Sequence, residues 1–335
     1  MKQKQLGVKG NFLQKIGLAA LIVVIALSVF VGLLTLPPDD LSLYASHPNP
    51  AADYAEAMQR VERLRAAEVG FNPDCHTILL THGARTAKVI LFLDGYGSCS
   101  ASFQELGKQF FDRGYNVLSL PLPYNGLADR MTNEQAKIKA EDLVRYTDQV
   151  VDIGRGLGDH ITLLGISAGG LMTGWAAQQR QDVDLAVLIS PGFGFKVVPE
   201  PLTLFTSRVL TLLPNMYIWN DSELKTNVLP HHNYPRISTH ALGQILRLSL
   251  ATQALMRQKA PAAGSILVIS NLDDQGVNPE SINNVVDLWQ SYGSTDLSTY
   301  QFPADLHLPH GLIDPQEPSQ NVAVVYPKLF ELIDR

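Results

Sequence analysis

Short apolar runs rich in leucine and β-branched residues recur along the chain. They are separated by longer segments whose apolar positions fall three and four residues apart. The runs are VILFL (89–93), NVLSL (116–120), ITLL (161–164), LAVLI (185–189), SILVIS (265–270) and STYQF (298–302). Apolar throughout rather than strictly alternating, most of them predict strands covered on both faces. Between them, SFQELGKQFFDRG, AKIKAEDLVRYTDQVVDIGRGLG, AGGLMTGWAAQQR and ESINNVVDLWQSYG carry helical periodicity, and AADYAEAMQRVERLRAAE (51–68) predicts a helix leading into the fold. Such alternation specifies an α/β class: a mostly parallel sheet flanked by helices.

Two intervals break the rhythm. From residue 195 to about 264 some seventy residues separate two predicted strands, where a crossover needs only about a dozen or more. This insertion contains PLTLFTSRVLTLL and STHALGQILRLSLATQALMRQ and is expected to form a helical cap, either lining a pocket or packed elsewhere on the sheet. At the other end, Ile16–Leu36 is an uncharged apolar run of 21 residues, enough for the roughly 20 that cross a bilayer as a helix. A cleaved signal sequence is the competing reading, although its apolar core usually has only about 7–15 residues. The expected organisation is a basic tail (1–15), a transmembrane anchor (16–36), a linker (37–50) and a main domain (51–335) with the insertion inside it.

Charge gives this organisation a direction. Lys2, Lys4, Lys9 and Lys15 precede the apolar run and Asp39 and Asp40 follow it, so the positive-inside bias puts the N-terminus in the cytoplasm and the domain on the far, extracytoplasmic side. The net charge of −6, without a basic run beyond the first residues, excludes the electrostatic footprint of a nucleic-acid binder. Export also changes the reading of Cys75 and Cys99, since disulfides persist outside the cytoplasm. An antiparallel hairpin of TILLTH and VILFL around HGARTA would bring them together; two unrelated thiols are the alternative. Neither cysteine has zinc-site neighbours.

Candidate chemistry enters at GISAGG (165–170). Gly165-Ile166-Ser167-Ala168-Gly169 fits G-x-S-x-G where a predicted strand turns into a predicted helix, a context that lifts the serine hydroxyl above the sheet. A serine that merely caps the helix would share only part of this pattern. A serine nucleophile needs an imidazole to take its proton and a carboxylate to orient that imidazole, in the chain order serine, acid, histidine. NLDDQGVN (271–278) supplies Asp274, with Asp273 as the alternative acid. LPHGLID (308–314) supplies His310, with His307 as the alternative base. His231, His232 and His240 fall in the insertion and are expected at its surface or on a pocket wall. The loop LFLDGYGS (91–98) bends at Gly95-Tyr96-Gly97, and the backbone N–H groups of Tyr96 and Ala168 are the expected oxyanion donors.

These motifs, together with NVLSLPLPYNG (116–126), resemble the α/β-hydrolase superfamily, in particular serine esterases and lipase-like enzymes of the bacterial membrane-anchored type, over about residues 70–335. Asn271 and Asn278 stand where the acid loop of relatives, G-x-x-D-x-x-V-P, has Gly and Pro, while His310-Gly311 and Asp314 match H-G-x-x-D. Many relatives have His-Gly where this chain has Asp94-Gly95, which leaves backbone donors in place but alters the local charge. The resemblance implies a cofactor-free hydrolase that cleaves a carboxylic ester through an acyl-serine intermediate. The leucine stripes of the insertion suggest an apolar acyl group or simply face a core. An acyltransferase or peptidase would use the same triad, and a binding protein could keep the fold with a silent site.

Overall fold

The computed structural model describes residues 2–37, 39–219, 230–293 and 296–334. The side chains of residues 1–13 and the segment 220–229 lie outside the described residues, and with them Lys2, Lys4 and Lys9 of the tail and the centre of the insertion. The strands are β1 (Ile78–Leu80), β2 (Thr86–Leu93), β3 (Asn116–Ser119), β4 (Gly158–Ile166), β5 (Leu185–Ile189), β6 (Tyr217–Trp219), β7 (Arg236–Ser238), β8 (Ser265–Asn271) and β9 (Asp296–Phe302). Seven of them form one sheet in the order β1-β3-β2-β4-β5-β8-β9, parallel except for β1, while β6 and β7 make a separate antiparallel ribbon inside the insertion.

The helices are α1 (Lys2–Thr35), α2 (Tyr54–Arg65), α3 (Gln104–Phe111), α4 (Ala140–Leu157), α5 (Ala168–Gln179), α6 (Thr203–Leu212), α7 (Thr239–Met256), α8 (Pro279–Tyr292) and α9 (Val322–Ile333). Successive side chains of a strand point to opposite faces, and β2 shows where each goes. Val89, Leu91 and Leu93 pack with residues of α2, α4, α5, α7 and α8. Ile90 and Phe92 pack with α3 and α9 on the other face. With both faces covered, alternation vanishes from the sequence and a continuous apolar run remains.

The edge of the sheet corrects one expectation. β1 pairs with β3 and not with β2, so there is no hairpin around HGARTA. β3 lies between the two strands, and its Asn116 fastens the connection around itself: the side-chain amide donates to Ala84 O and Leu157 O at 2.8 Å, and its carbonyl accepts from His82 N at 2.9 Å. The two cysteines are nevertheless bridged, with Cα atoms 5.4 Å apart. They sit on two short 3-10 turns, Pro73–Cys75 and Ser100–Phe103 with its cap Cys99. Closing a loop with a sequence separation of 24 stabilises the fold by about 3 kcal/mol through the entropy of the unfolded chain.

The stretch read as a linker is fastened to the domain. Tyr44 is fully buried and its carbonyl accepts from Trp175 Nε1 at 2.8 Å. Ser46, His47 and Asn49 donate to the carboxylates of Asp148 and Asp152 on α4, which also hold the buried guanidinium of Arg180 at 2.8 and 2.7 Å. Within α1, Gln14–Thr35 is the one described helix long and apolar enough to cross a membrane; none of its described residues is fully buried, and only Phe30 and Leu33 are half-buried.

Candidate active site

β4 ends at Ile166 and α5 begins at Ala168, which leaves Ser167 alone to make the turn. It does so at φ 57°, ψ −118°, a region that costs a non-glycine residue about 1–3 kcal/mol and persists only where the surroundings impose it. Here they do. A Cβ on Gly165 would lie 2.2 Å from Gly169 O, and one on Gly169 would lie 1.9 Å from Leu93 O. The start of α5 is thus pressed against the ends of β4 and β2, and only glycines allow it. Ser167 N donates to Ile189 O at 3.0 Å and its carbonyl accepts from Gly192 N at 2.8 Å, locking the turn to the end of β5. Ala168 is the first residue of α5, and a first-turn N–H has no partner within its helix.

The expected acid and base come from neighbouring strand ends. β8 leads into the loop of Asp274, and the chain after β9 returns to place His310 Nδ1 2.9 Å from both Asp274 oxygens. Asp274 also accepts from Gly276 N at 2.7 Å and Val277 N at 3.2 Å. Burial pushes its carboxyl up, but the hydrogen bond and charge of His310, helped by the Gly276 N–H, outweigh this and leave its pKa below the ordinary value. Gly276 makes room for the imidazole, since a Cβ there would come within 2.9 Å of the ring. The alternative pair, His307 and Asp273, also meet each other, at 3.3 Å, but with the His307 side chain 81% exposed.

Asn271, noted in sequence only as a departure, has a visible role. Its side-chain amide donates to Leu308 O at 2.7 Å, gripping the chain two residues before His310. The glycine of the related pattern could not do this.

The loop expected to supply an oxyanion donor is held from several sides. Gly97 N donates to the buried Asn125 Oδ1 at 2.9 Å, Gly97 O accepts from Tyr234 N at 2.8 Å, and the Tyr96 hydroxyl donates to Gln135 Oε1 at 2.8 Å. Burial pushes the Tyr96 phenol far above its ordinary pKa, so it stays a neutral donor. Tyr96 and Ala168 therefore stand on two pinned segments, and Gly95 lies against Ser167, with room for a Cβ only 3.4 Å from that of the serine.

One histidine departs from expectation. His232 is neither at the surface nor on an open wall: it is buried, with Nε2 2.9 Å from Asp314 Oδ2, and so ties the insertion to the loop that carries His310. His231 is exposed and His240 Nε2 contacts Leu213 O at 2.7 Å. Sequence reasoning missed the His232–Asp314 pair because 82 residues separate its members and no local pattern links them.

Asp94 faces inward and is fully buried; one oxygen accepts from Ser102 Oγ at 3.2 Å and the other has no partner among the described residues. Burial first, and the charge of Asp314 next, push its pKa up to about 8, against the Ser102 hydrogen bond. An unfolded aspartate titrates near 4. Between about pH 4 and 8 the unfolded chain gives up this proton while the folded one keeps it, so the contribution of Asp94 to stability falls as pH rises. Asp94→Asn, neutral and of the same shape, is expected to remove that fall. Relative to the wild type, the variant gains up to about 1.4 kcal/mol per pH unit across this window. Thermal unfolding of both proteins from pH 5 to 8 measures it, and parallel curves would show Asp94 to be ionised in the fold.

Comparison with known proteins agrees with this architecture. Residues 84–310 match the model of a hydrolase family described as serine aminopeptidase, S33. No curated protein matches the sequence. Among solved structures, that reported for the metagenome-derived lipolytic enzymes LipS and LipT superposes with a TM-score of 0.60 at 17% identity, covering 79% of this chain and 99% of that one. A soluble variant of monoglyceride lipase from Saccharomyces cerevisiae gives 0.58 at 12% identity over 77% and 90% of the two chains. The monoacylglycerol lipase of Paleococcus ferrophilus gives 0.57 at 15% identity over 77% and 97%. At these identities the structures share the fold, and the matched residues, about two thirds of the chain, place it by sequence: the protein belongs to the serine aminopeptidase S33 family of α/β-hydrolases.

Proposed function

We propose that the protein is a membrane-anchored serine hydrolase that cleaves carboxylic esters through an acyl-serine intermediate. Ser167 Oγ attacks the ester carbonyl as His310 takes its proton, and Asp274 fixes the imidazole with Nδ1–H toward the carboxylate and steadies the imidazolium that forms. The oxygen of the tetrahedral intermediate is received by the N–H groups of Tyr96 and Ala168. His310 then protonates the leaving alcohol, and water, activated by the same imidazole, releases the acid and restores Ser167.

The observation that carries this reading is the imidazole of His310 held on both oxygens of a buried Asp274, on the same edge of the sheet where Ser167 is forced into its strained turn. The lipolytic enzymes and monoacylglycerol lipases that share the fold favour an ester with an apolar acyl group. The family description favours a second reading, hydrolysis of an amide at an amino-terminal residue. Turnover of a p-nitrophenyl ester chain-length series is expected to exceed that of aminoacyl p-nitroanilides by at least about 10²-fold. The opposite order would assign the site to peptides. A fluorophosphonate that leaves no adduct on the folded protein would make the site a silent one.

The anchor belongs to the same proposal. Gln14–Thr35 spans the membrane with its N-terminus in the cytoplasm, and the hydrolase domain lies beyond, in an extracytoplasmic compartment that suits the Cys75–Cys99 disulfide. A signal sequence would pass the same test of length and apolarity. N-terminal sequencing of the membrane fraction distinguishes the two.

A further inference from the structure

We infer that the cap is a second membrane contact: α6 and the segment that follows it, as far as β6, lie in the interfacial layer of the leaflet facing the hydrolase domain. The inference rests on the reading of α1 as a membrane span.

The sequence of this region is unusual for a soluble surface. From Pro201 to Trp219, PLTLFTSRVLTLLPNMYIW, the only charged residue is Arg208. Among the described residues beyond residue 40, large apolar side chains that are clearly exposed are few and mostly scattered, but Leu202, Leu212, Leu213, Met216 and Ile218 fall together here. Leu212, Leu213, Met216 and Ile218 are 61%, 54%, 62% and 53% exposed, so packing within the chain does not explain them. Single exposed leucines need no explanation, but a contiguous group marks an interaction surface.

The position of α6 says what covers that surface. The Phe30 and Phe205 rings lie 4.9 Å apart, so α6 packs against α1 itself. Arg208 donates to the carbonyls of Leu33, Leu36 and Pro37, the last two at 2.8 and 3.3 Å, closing the C-terminal end of α1. At 1.5 Å per residue, Phe30 lies about 7–8 Å inside the end of the apolar helix at Thr35. The span of 22 residues is about 33 Å long, close to the roughly 30 Å of the hydrocarbon core. There is little slack with which to lift Phe30 out of the apolar layer. Its partner Phe205 is therefore carried to the boundary between acyl chains and headgroups, and the exposed residues of the same segment with it. An interfacial helix buries its apolar face about 5–10 Å at that boundary. Arg208 sits where a cation reaches headgroups, and the half-buried Tyr217 and Trp219 of β6 are the residue types that favour this layer. The contact fixes the cap, and the domain beneath it, against the bilayer instead of leaving them to swing on a tether.

The test uses the full chain in vesicles of phosphatidylcholine and phosphatidylglycerol. Both native cysteines are bridged, so a single introduced cysteine takes a bimane label. Leu213→Cys and Met216→Cys report on the cap, Ile22→Cys on the span, and Val324→Cys on α9 across the sheet. Lipids carrying a nitroxide near the top of the acyl chain are expected to quench the labels at 213 and 216 at least about threefold more than that at 324. Quenching at 22 by deep nitroxides, with 213 and 216 no different from 324, would overturn the inference and leave the anchor standing. Protection of 213 and 216 from aqueous iodide without quenching by lipid would mean that a second copy of the chain covers the face, and would also overturn it. A label at 22 that no lipid quenches would remove the anchor and the inference together.

Discussion

Ser167→Ala is expected to lower ester turnover by at least about 10³-fold while leaving the unfolding temperature close to that of the wild type. The two halves of this expectation have different causes. Alanine keeps the Cβ and differs by one oxygen, so at φ 57° it bears the same strain as serine and is held by the same backbone hydrogen bonds to Ile189 and Gly192. Chemistry has no such substitute, because no other hydroxyl takes the place of the one that attacks. Removing the nucleophile of a triad leaves only what binding and oxyanion stabilisation contribute, and the members of such a unit fail together rather than additively. kcat/KM on a short p-nitrophenyl ester, measured beside mass spectrometry of the fluorophosphonate adduct, reads both parts. A variant that retains activity, or that still takes the phosphonate at the active site, would remove Ser167 from the mechanism.

What could be read from the sequence and what could not divide along physical lines. A strand such as β2, apolar because both its faces are covered, announces itself in five consecutive letters, and a serine forced between two glycines announces the turn that strains it. These signals are local. The order of strands is not: TILLTH, HGARTA and VILFL satisfy every local condition for a hairpin, yet β3, from thirty residues further on, enters between them, and its Asn116 holds the connection with hydrogen bonds to His82 and Ala84. The cysteines meet all the same, through the turns before β1 and after β2 rather than through strand pairing.

The supports of the site are hidden in the same way. Asn271 grips the chain before His310, Asn125 holds Gly97, and His232 reaches Asp314 from the insertion. Each is a buried polar side chain that finds a partner across a long sequence separation, and composition gives no hint of such a partner. Asp94 is the reverse case. The sequence shows an acidic residue in place of a histidine, but only the structure shows that it is fully buried and within electrostatic reach of Asp314. Burial, followed by the charge of Asp314, lifts Glu317 to about 7, with His310 and His232 opposing. Through these groups the electrostatics of the insertion and of the His310 loop are joined.

The choice between adjacent carboxylates gives the second large effect. Asp274→Asn is expected to lower kcat by about 10³- to 10⁴-fold, and Asp273→Asn by no more than about twofold. Asp274 is buried and meets His310 with both oxygens at 2.9 Å. Its lowered pKa keeps it ionised through the neutral and mildly acidic range, so its charge is present whenever the imidazole must accept a proton. An amide in its place either turns a donor toward Nδ1–H, leaving two hydrogens opposed, or fixes the tautomer whose proton faces the serine and cannot act as base. Asp273 has no such hold on the reaction, because its partner His307 stands in solvent and an exposed pair of this kind contributes little. Stability follows a consistent sign: a depressed carboxylate stabilises the fold above its unfolded pKa, and that contribution is lost as pH falls through the lowered value. Asp274→Asn should therefore also flatten the acid limb of thermal unfolding. Equal losses of kcat in the two variants, or full activity in Asp274→Asn, would reduce the Asp274–His310 contact to a structural one and send the search for the acid elsewhere along the same edge.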